Sequence, residues 1–85
     1  MQYSVYRFIE DDLNTTANKF AKRIGSKQST FSTWKSRERS VVELPIQLLA
    51  DLVAESGLTY EEVVNKLLKY EVEYETEKNG IKIDG

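Results

Sequence analysis

Apolar positions recur along most of the chain at the three- and four-residue spacing of a helix face, and the pattern is interrupted at a few Gly, Thr and Pro residues. Val5, Phe8, Ile9 and Leu13 share one side of a first short helix that ends at the polar stretch "LNTT". A strand over residues 3–8 competes with it, because tyrosine, valine and phenylalanine also suit a pleated surface, but the helix is the preferred reading. Ala17, Phe20, Ala21 and Ile24 form a second stripe, with Thr15 or Thr16 placed to cap it and Gly25 to stop it. Phe31 and Trp34 stand three apart among small polar residues. They predict a third helix that buries one narrow stripe and shows the rest to solvent or a ligand.

Pro45 fits the first position of a fourth helix, where its missing N–H costs nothing. Ile46, Leu48, Leu49, Leu52 and Val53 supply the apolar face of that helix, and Gly57 ends it. Thr59 and Glu62 match a capping box for a fifth, carrying Val63, Val64, Leu67 and Leu68. The tail, "YEVEYETEKNGIKIDG", changes period: Val72, Tyr74 and Thr76 alternate with glutamates, and Ile81 and Ile83 follow the hairpin dipeptide "NG". That turn sets Glu77 opposite Lys82. The expectation is a mostly α protein, with five helices in a domain over residues 1–69 and a C-terminal β-hairpin or dimerisation tail over 70–85. Tyr3, Tyr6, Tyr70 and Tyr74 are expected to seal the hairpin or a dimer contact, where an apolar body with a polar tip is useful.

Composition narrows the function. A chain of 85 residues makes one domain, which at this size buries only about 60% of its unfolded surface, so a large enclosed active site is not expected. Cysteine and histidine are both absent. Thiolate and imidazole chemistry and the commonest metal ligands go with them, leaving carboxylates as the remaining enzymatic option. The expectation is a non-enzyme with no cofactor, no metal and no small-molecule ligand. No stretch approaches the roughly 18 apolar residues of a membrane span, and "MQYSVYRFIEDD" lacks a basic-then-apolar leader pattern, so a cytoplasmic protein is expected. The acidic runs 10–12 and 71–77 lack the ligand spacing of a calcium loop and read as solvated charge.

The net charge of −2 conceals a strong asymmetry. Residues 19–39 hold seven basic residues against one acid, Glu38, for a local +6, while the rest of the chain holds five basic and thirteen acidic residues, for −8. Charge acts on phosphate within about 8 Å at physiological salt, so the local sum is the relevant one.

Two helices meeting at a sharp turn need a small residue at their approach, a residue tolerant of left-handed backbone at the turn and an apolar plug on the second helix. The stretch "AKRIGSKQSTFSTW", residues 21–34, offers Ala21, Gly25, and Phe31 with Trp34. It resembles the helix-turn-helix of the phage-repressor and Cro family, also called the xenobiotic-response-element family, in which A-x-x-x-G-x-x-x-x-x-[IV]-x-x-W recurs. "ELPIQLLADLVAESG" and "LTYEEVVNKLL" are similar to that family's last two helices, and the likeness spans roughly residues 5–69. It departs at Ser26, Ala17 and Phe31, where the family favours an apolar residue, a glutamine and a branched aliphatic.

The resemblance implies a motif over about residues 16–37 and a recognition helix over 27–37 that enters the major groove of double-stranded DNA. On that reading Lys27, Gln28, Ser29, Ser32, Thr33 and Ser36 meet base edges. Thr16, Asn18, Lys22, Arg23, Lys35, Arg37 and Arg39 hold the phosphate backbone. The hydroxyl-rich composition of this helix sacrifices a few tenths of a kcal/mol per residue against better helix formers, which suits a face kept for a partner. The implied function is a sequence-specific transcriptional regulator, repressor- or Cro-like, acting as a homodimer through the hairpin or the last helix. The alternative is a protein-binding accessory factor, such as an antirepressor, antitoxin or inhibitor, that uses the same scaffold.

Overall fold

Several helix boundaries fall at residues with a local chemical reason for them, at Thr16, Gly25, Gly57 and Thr59. In the computed structural model, which describes residues 2–78, α1 (Ser4–Arg7) runs directly into a π-helical turn over Phe8–Asp12. There follow α2 (Ala17–Arg23), α3 (Gln28–Ser36), a 3-10 turn at Val41–Glu43, α4 (Ile46–Ser56) and α5 (Tyr60–Lys78). Residues 4–8 are therefore helical, as the spacing of Val5, Phe8 and Ile9 predicts, with Tyr3 as the N-cap; all three apolar residues are fully buried.

The Thr16 hydroxyl accepts the Lys19 N–H at 3.2 Å and caps α2. At the other end Gly25 takes a left-handed φ of 72°. That lets the Ser26 N–H reach the Ala21 carbonyl at 2.8 Å and the Gly25 N–H reach Lys22 at 3.3 Å, the paired closure of a Schellman motif. The bend expected at residue 25 is present, and α3 starts three residues later. Gly57, with φ 75°, ends α4 in the same backbone region. Thr59 and Glu62 form the expected capping box, with bonds of 3.0 and 3.1 Å, and the Thr59 N–H holds the Glu62 carboxyl below its ordinary pKa.

The core is one continuous cluster. Phe8, Ile9, Phe20, Phe31, Leu52, Val63 and Leu67 are its largest apolar members, all at or below 1% exposure. α5 packs on both α1 and α4, while α2 packs on α3. Phe31 is the fully buried side chain of α3; its ring lies edge-on to Phe20 at 6.0 Å and beside Trp34 at 5.1 Å. α3 is thus fastened by one aromatic anchor and a half-buried tryptophan.

The C-terminal β-hairpin is not formed. α5 is an unbroken helix of 19 residues that passes through residue 70 and continues to Lys78, and no strand occurs among the described residues. Val72, Tyr74 and Thr76 lie within it rather than along a strand edge. The reason is a second periodicity in the same residues. Val63, Leu67, Tyr70 and Tyr74 are spaced by four, three and four and continue the core-facing stripe, which the helix can bury and an isolated hairpin could not. The "NG" turn, Ile81, Lys82 and Ile83 lie outside the described residues.

The tyrosines expected at the hairpin instead tie the N-terminus to α5. Tyr3 and Tyr70 are buried, and Tyr3 makes edge contacts with Tyr6 at 6.2 Å and Tyr74 at 6.3 Å. The Tyr70 hydroxyl donates to Asp12 at 2.7 Å, and Lys66 pairs with the other oxygen of that carboxylate at 3.2 Å. Burial, reinforced by Glu71 at Tyr3 and by Asp12 at Tyr70, pushes both hydroxyls up to about 12. In the unfolded chain they ionise near 10. Above that pH the unfolded state releases protons that the folded state keeps, so stability complete below pH 10 falls as pH rises toward 12. Urea midpoints measured at about pH 9 and pH 11.5 should differ strongly, and Tyr3→Phe with Tyr70→Phe should flatten the difference.

Candidate nucleic-acid interface

The polar face of α3 is free. Gln28, Ser29, Ser32, Thr33, Ser36 and Arg37 line one shallow, open surface, and every one of them is exposed. Because Phe31 takes the buried side, the helical period places Ser29, Thr33 and Ser36 on the opposite side, with Gln28, Ser32 and Arg37 on its flanks. Five of the six expected base-contacting residues thus come together, and the sixth, Lys27, is the exposed N-cap of the same helix. The Thr33 hydroxyl donates to the Ser29 carbonyl at 2.9 Å, which restrains its rotamer and leaves the hydroxyl oxygen able to accept. The side chains of Gln28, Ser29, Ser32 and Ser36 make no hydrogen bond within the described residues, so their donors and acceptors are available.

The expected phosphate contacts divide into free and engaged groups. Lys22 and Arg37 are exposed and in no ion pair among the described residues, as is Lys27 of the expected base contacts, and Asn18 is exposed on α2. Thr16 is spent on its own helix as the cap. Arg23 pairs with Glu55 at 3.2 Å and Arg39 with Glu43 at 3.4 Å. The Lys35 ammonium lies 5.2 Å from the Tyr6 ring centroid, a cation–π position. These pairs are at least partly exposed, so each is worth at most about 1 kcal/mol and can be exchanged for a phosphate.

The acidic runs are not simply solvated. Asp11 and Glu73 pair with Arg7 at 3.4 and 3.2 Å, and Asp12 holds Lys66 and Tyr70. Glu71 accepts the Val41 N–H at 3.2 Å. These carboxylates tie α1, the π-helical turn and the segment after α3 to α5. No cluster of three or more His, Cys, Asp or Glu residues able to hold a metal ion occurs among the described residues.

Sequence reasoning missed Glu38 as a structural residue. It sits in left-handed backbone with φ 52°, and its carboxylate meets Lys78 and, at 3.5 Å, the Tyr74 hydroxyl. Its only visible signal was an acid standing alone in a basic run. Among the described residues no helix is long and apolar enough to cross a membrane. Comparison with protein-family models, with curated proteins and with solved structures found no match to this chain.

Proposed function

We propose that the chain is a sequence-specific double-stranded DNA-binding transcriptional regulator of the repressor or Cro kind, cytoplasmic and homodimeric, with α3 as its recognition helix. The observation that carries this reading is the aligned, exposed amide and hydroxyl face of α3, on which only the Thr33 hydroxyl is already bonded, with Lys27 at its start and Arg37 at its end. Such a face is costly for the helix alone and well suited to base edges. The bent connection at Gly25 leaves α3 fastened to the rest of the protein by Phe31 and Trp34, with its polar side outward. α3 reads only a few base pairs, so a two-fold pair of subunits supplies the remaining affinity and specificity. With no hairpin available, the last helix is the interface: Tyr60 and Val72 are exposed, and Val64 and Leu68 between them are half-buried, at four-residue spacing.

Mobility shift of mixed duplex fragments at two salt concentrations tests the reading, with retention expected at the lower salt and loss at the higher. Gln28→Ala should cost about 1–3 kcal/mol on the preferred sequence and relax preference at one position, whereas Arg37→Ala should weaken all sequences alike. Both are measured by titration of specific and random duplexes. The exposed Val42 and Ile46, 81% and 76% accessible, favour a second reading as a protein-binding accessory factor. Absence of any DNA retention at low salt would move that reading ahead.

A further inference from the structure

The exit of α3 is closed by an unusual residue and held from several directions. Glu38 occupies the left-handed position that Gly25 fills at the end of α2, and the same pair of bonds results: Arg39 N–H to Trp34 O at 3.0 Å and Glu38 N–H to Lys35 O at 3.1 Å. A residue with a side chain persists there only where its surroundings over-determine the backbone. Those surroundings are visible. The Tyr3 hydroxyl donates to the Arg39 carbonyl at 2.7 Å, the Glu71 carboxylate accepts the Val41 N–H at 3.2 Å, and Lys78 and Tyr74 receive the Glu38 side chain. Tyr74 also stacks edge-on against Tyr3 at 6.3 Å.

Apart from Tyr3, every one of these holding groups lies in residues 71–78, the stretch of α5 beyond the core residues Val63, Leu67 and Tyr70. The two arginines of the held segment, Arg37 and Arg39, flank Glu38 directly. We propose that the last turns of α5, with Tyr3, are a brace that positions the end of the recognition helix and its arginines against DNA, and that Glu71 is the central positioning residue. The proposal rests on the DNA-binding reading of α3. The brace gives the extended α5 a role that its burial alone does not require, since Glu71 and Lys78 act on residues 38–41 rather than on the core, and Tyr74 reaches Glu38 as well as the Tyr3 ring.

Glu71→Gln and Glu71→Met test this with charge held equal, because only glutamine keeps an oxygen for the Val41 N–H. On a selected duplex, Glu71→Met should bind about tenfold more weakly than Glu71→Gln, since loss of this part-buried acceptor leaves the N–H of the buried Val41 unpaired. On random duplex at low salt the two should bind equally, because that attraction follows charge. Amide exchange at Val41 should be about tenfold faster in Glu71→Met, with α4 amides unchanged. In an Arg39→Ala background the gap between the two variants should narrow. Tyr3→Phe, which keeps the ring and removes only the hydroxyl from Arg39, should weaken selected binding by about threefold and gives a second reading should Glu71→Met unfold. Equal selected-duplex affinity of Glu71→Met and Glu71→Gln, with a wild type that binds, overturns the positioning role alone. A wild type that retains no duplex overturns the DNA reading and the brace's DNA role with it, while the Val41 exchange difference separately reports whether the brace exists.

Discussion

Phe31→Ala is expected to remove about 3–5 kcal/mol of stability, the range for truncating a buried aromatic. Phe31 is 1% exposed and meets both the Phe20 and Trp34 rings, so its removal opens a void that neither neighbour can fill without leaving its place. The effect is large because of what else α3 lacks. Gln28, Ser29, Thr30, Ser32, Thr33, Lys35 and Ser36 are all exposed, so only the half-buried Trp34, which itself rests on Phe31, remains to hold the helix. A domain of this size holds only about 5–15 kcal/mol in total, and each kcal/mol lost shifts the midpoint by roughly 4–8 °C. Thermal unfolding followed by circular dichroism should therefore show a fall on the order of 20 °C. Trp34, the one tryptophan of the chain, reports the same change locally, and its emission should shift to the red. A fall corresponding to less than about 1 kcal/mol would mean that α3 is held by something other than the Phe20–Phe31–Trp34 contact.

The second large effect is the dependence of DNA affinity on salt. Three of the cations expected to contact DNA, Lys22, Lys27 and Arg37, are exposed and unpaired among the described residues, so a two-fold pair of subunits offers six. Neutralising about six phosphates gives a log–log slope of roughly −5 and a loss of about a thousandfold in affinity between 50 and 200 mM salt. Arg23 and Arg39 add less, because each must first leave its carboxylate partner. The triple substitution Lys22→Gln, Lys27→Gln and Arg37→Gln should remove most of the slope and leave only the smaller part carried by the paired Arg23 and Arg39, measured by fluorescence anisotropy over a salt series. A steep slope surviving that substitution would place the DNA contact on another face.

Much of this was readable in the sequence where it depended on residues close together in the chain. The bend at Gly25 and the outward face of α3 follow from a glycine, the Phe31–Trp34 spacing and the helical period, and all three are local. The tail was misread because two periods overlap in it. The alternation at Val72, Tyr74 and Thr76 was visible within a few residues. The end of the stripe through Val63, Leu67, Tyr70 and Tyr74 gains its value from Arg7 against Tyr70 and from Tyr3 and Glu38 against Tyr74, all more than thirty residues away in the chain. The same distance in sequence hid the engaged state of Arg23, whose partner Glu55 lies on α4, and of Lys35 over Tyr6. Charge counting located the basic region but could not separate free cations from those with a partner.

The central claim is that the hydroxyl and amide face of α3 reads base edges in duplex DNA. Selection of bound duplexes from a random pool tests it most directly, carried out with the full chain and with Gln28→Ala. The account predicts enrichment of a two-fold symmetric sequence with half-sites about one helical turn apart, and loss of preference at one symmetric position in the variant. A pool that stays random at low salt, or an enriched sequence that Gln28→Ala and Ser32→Ala leave unchanged, would contradict it.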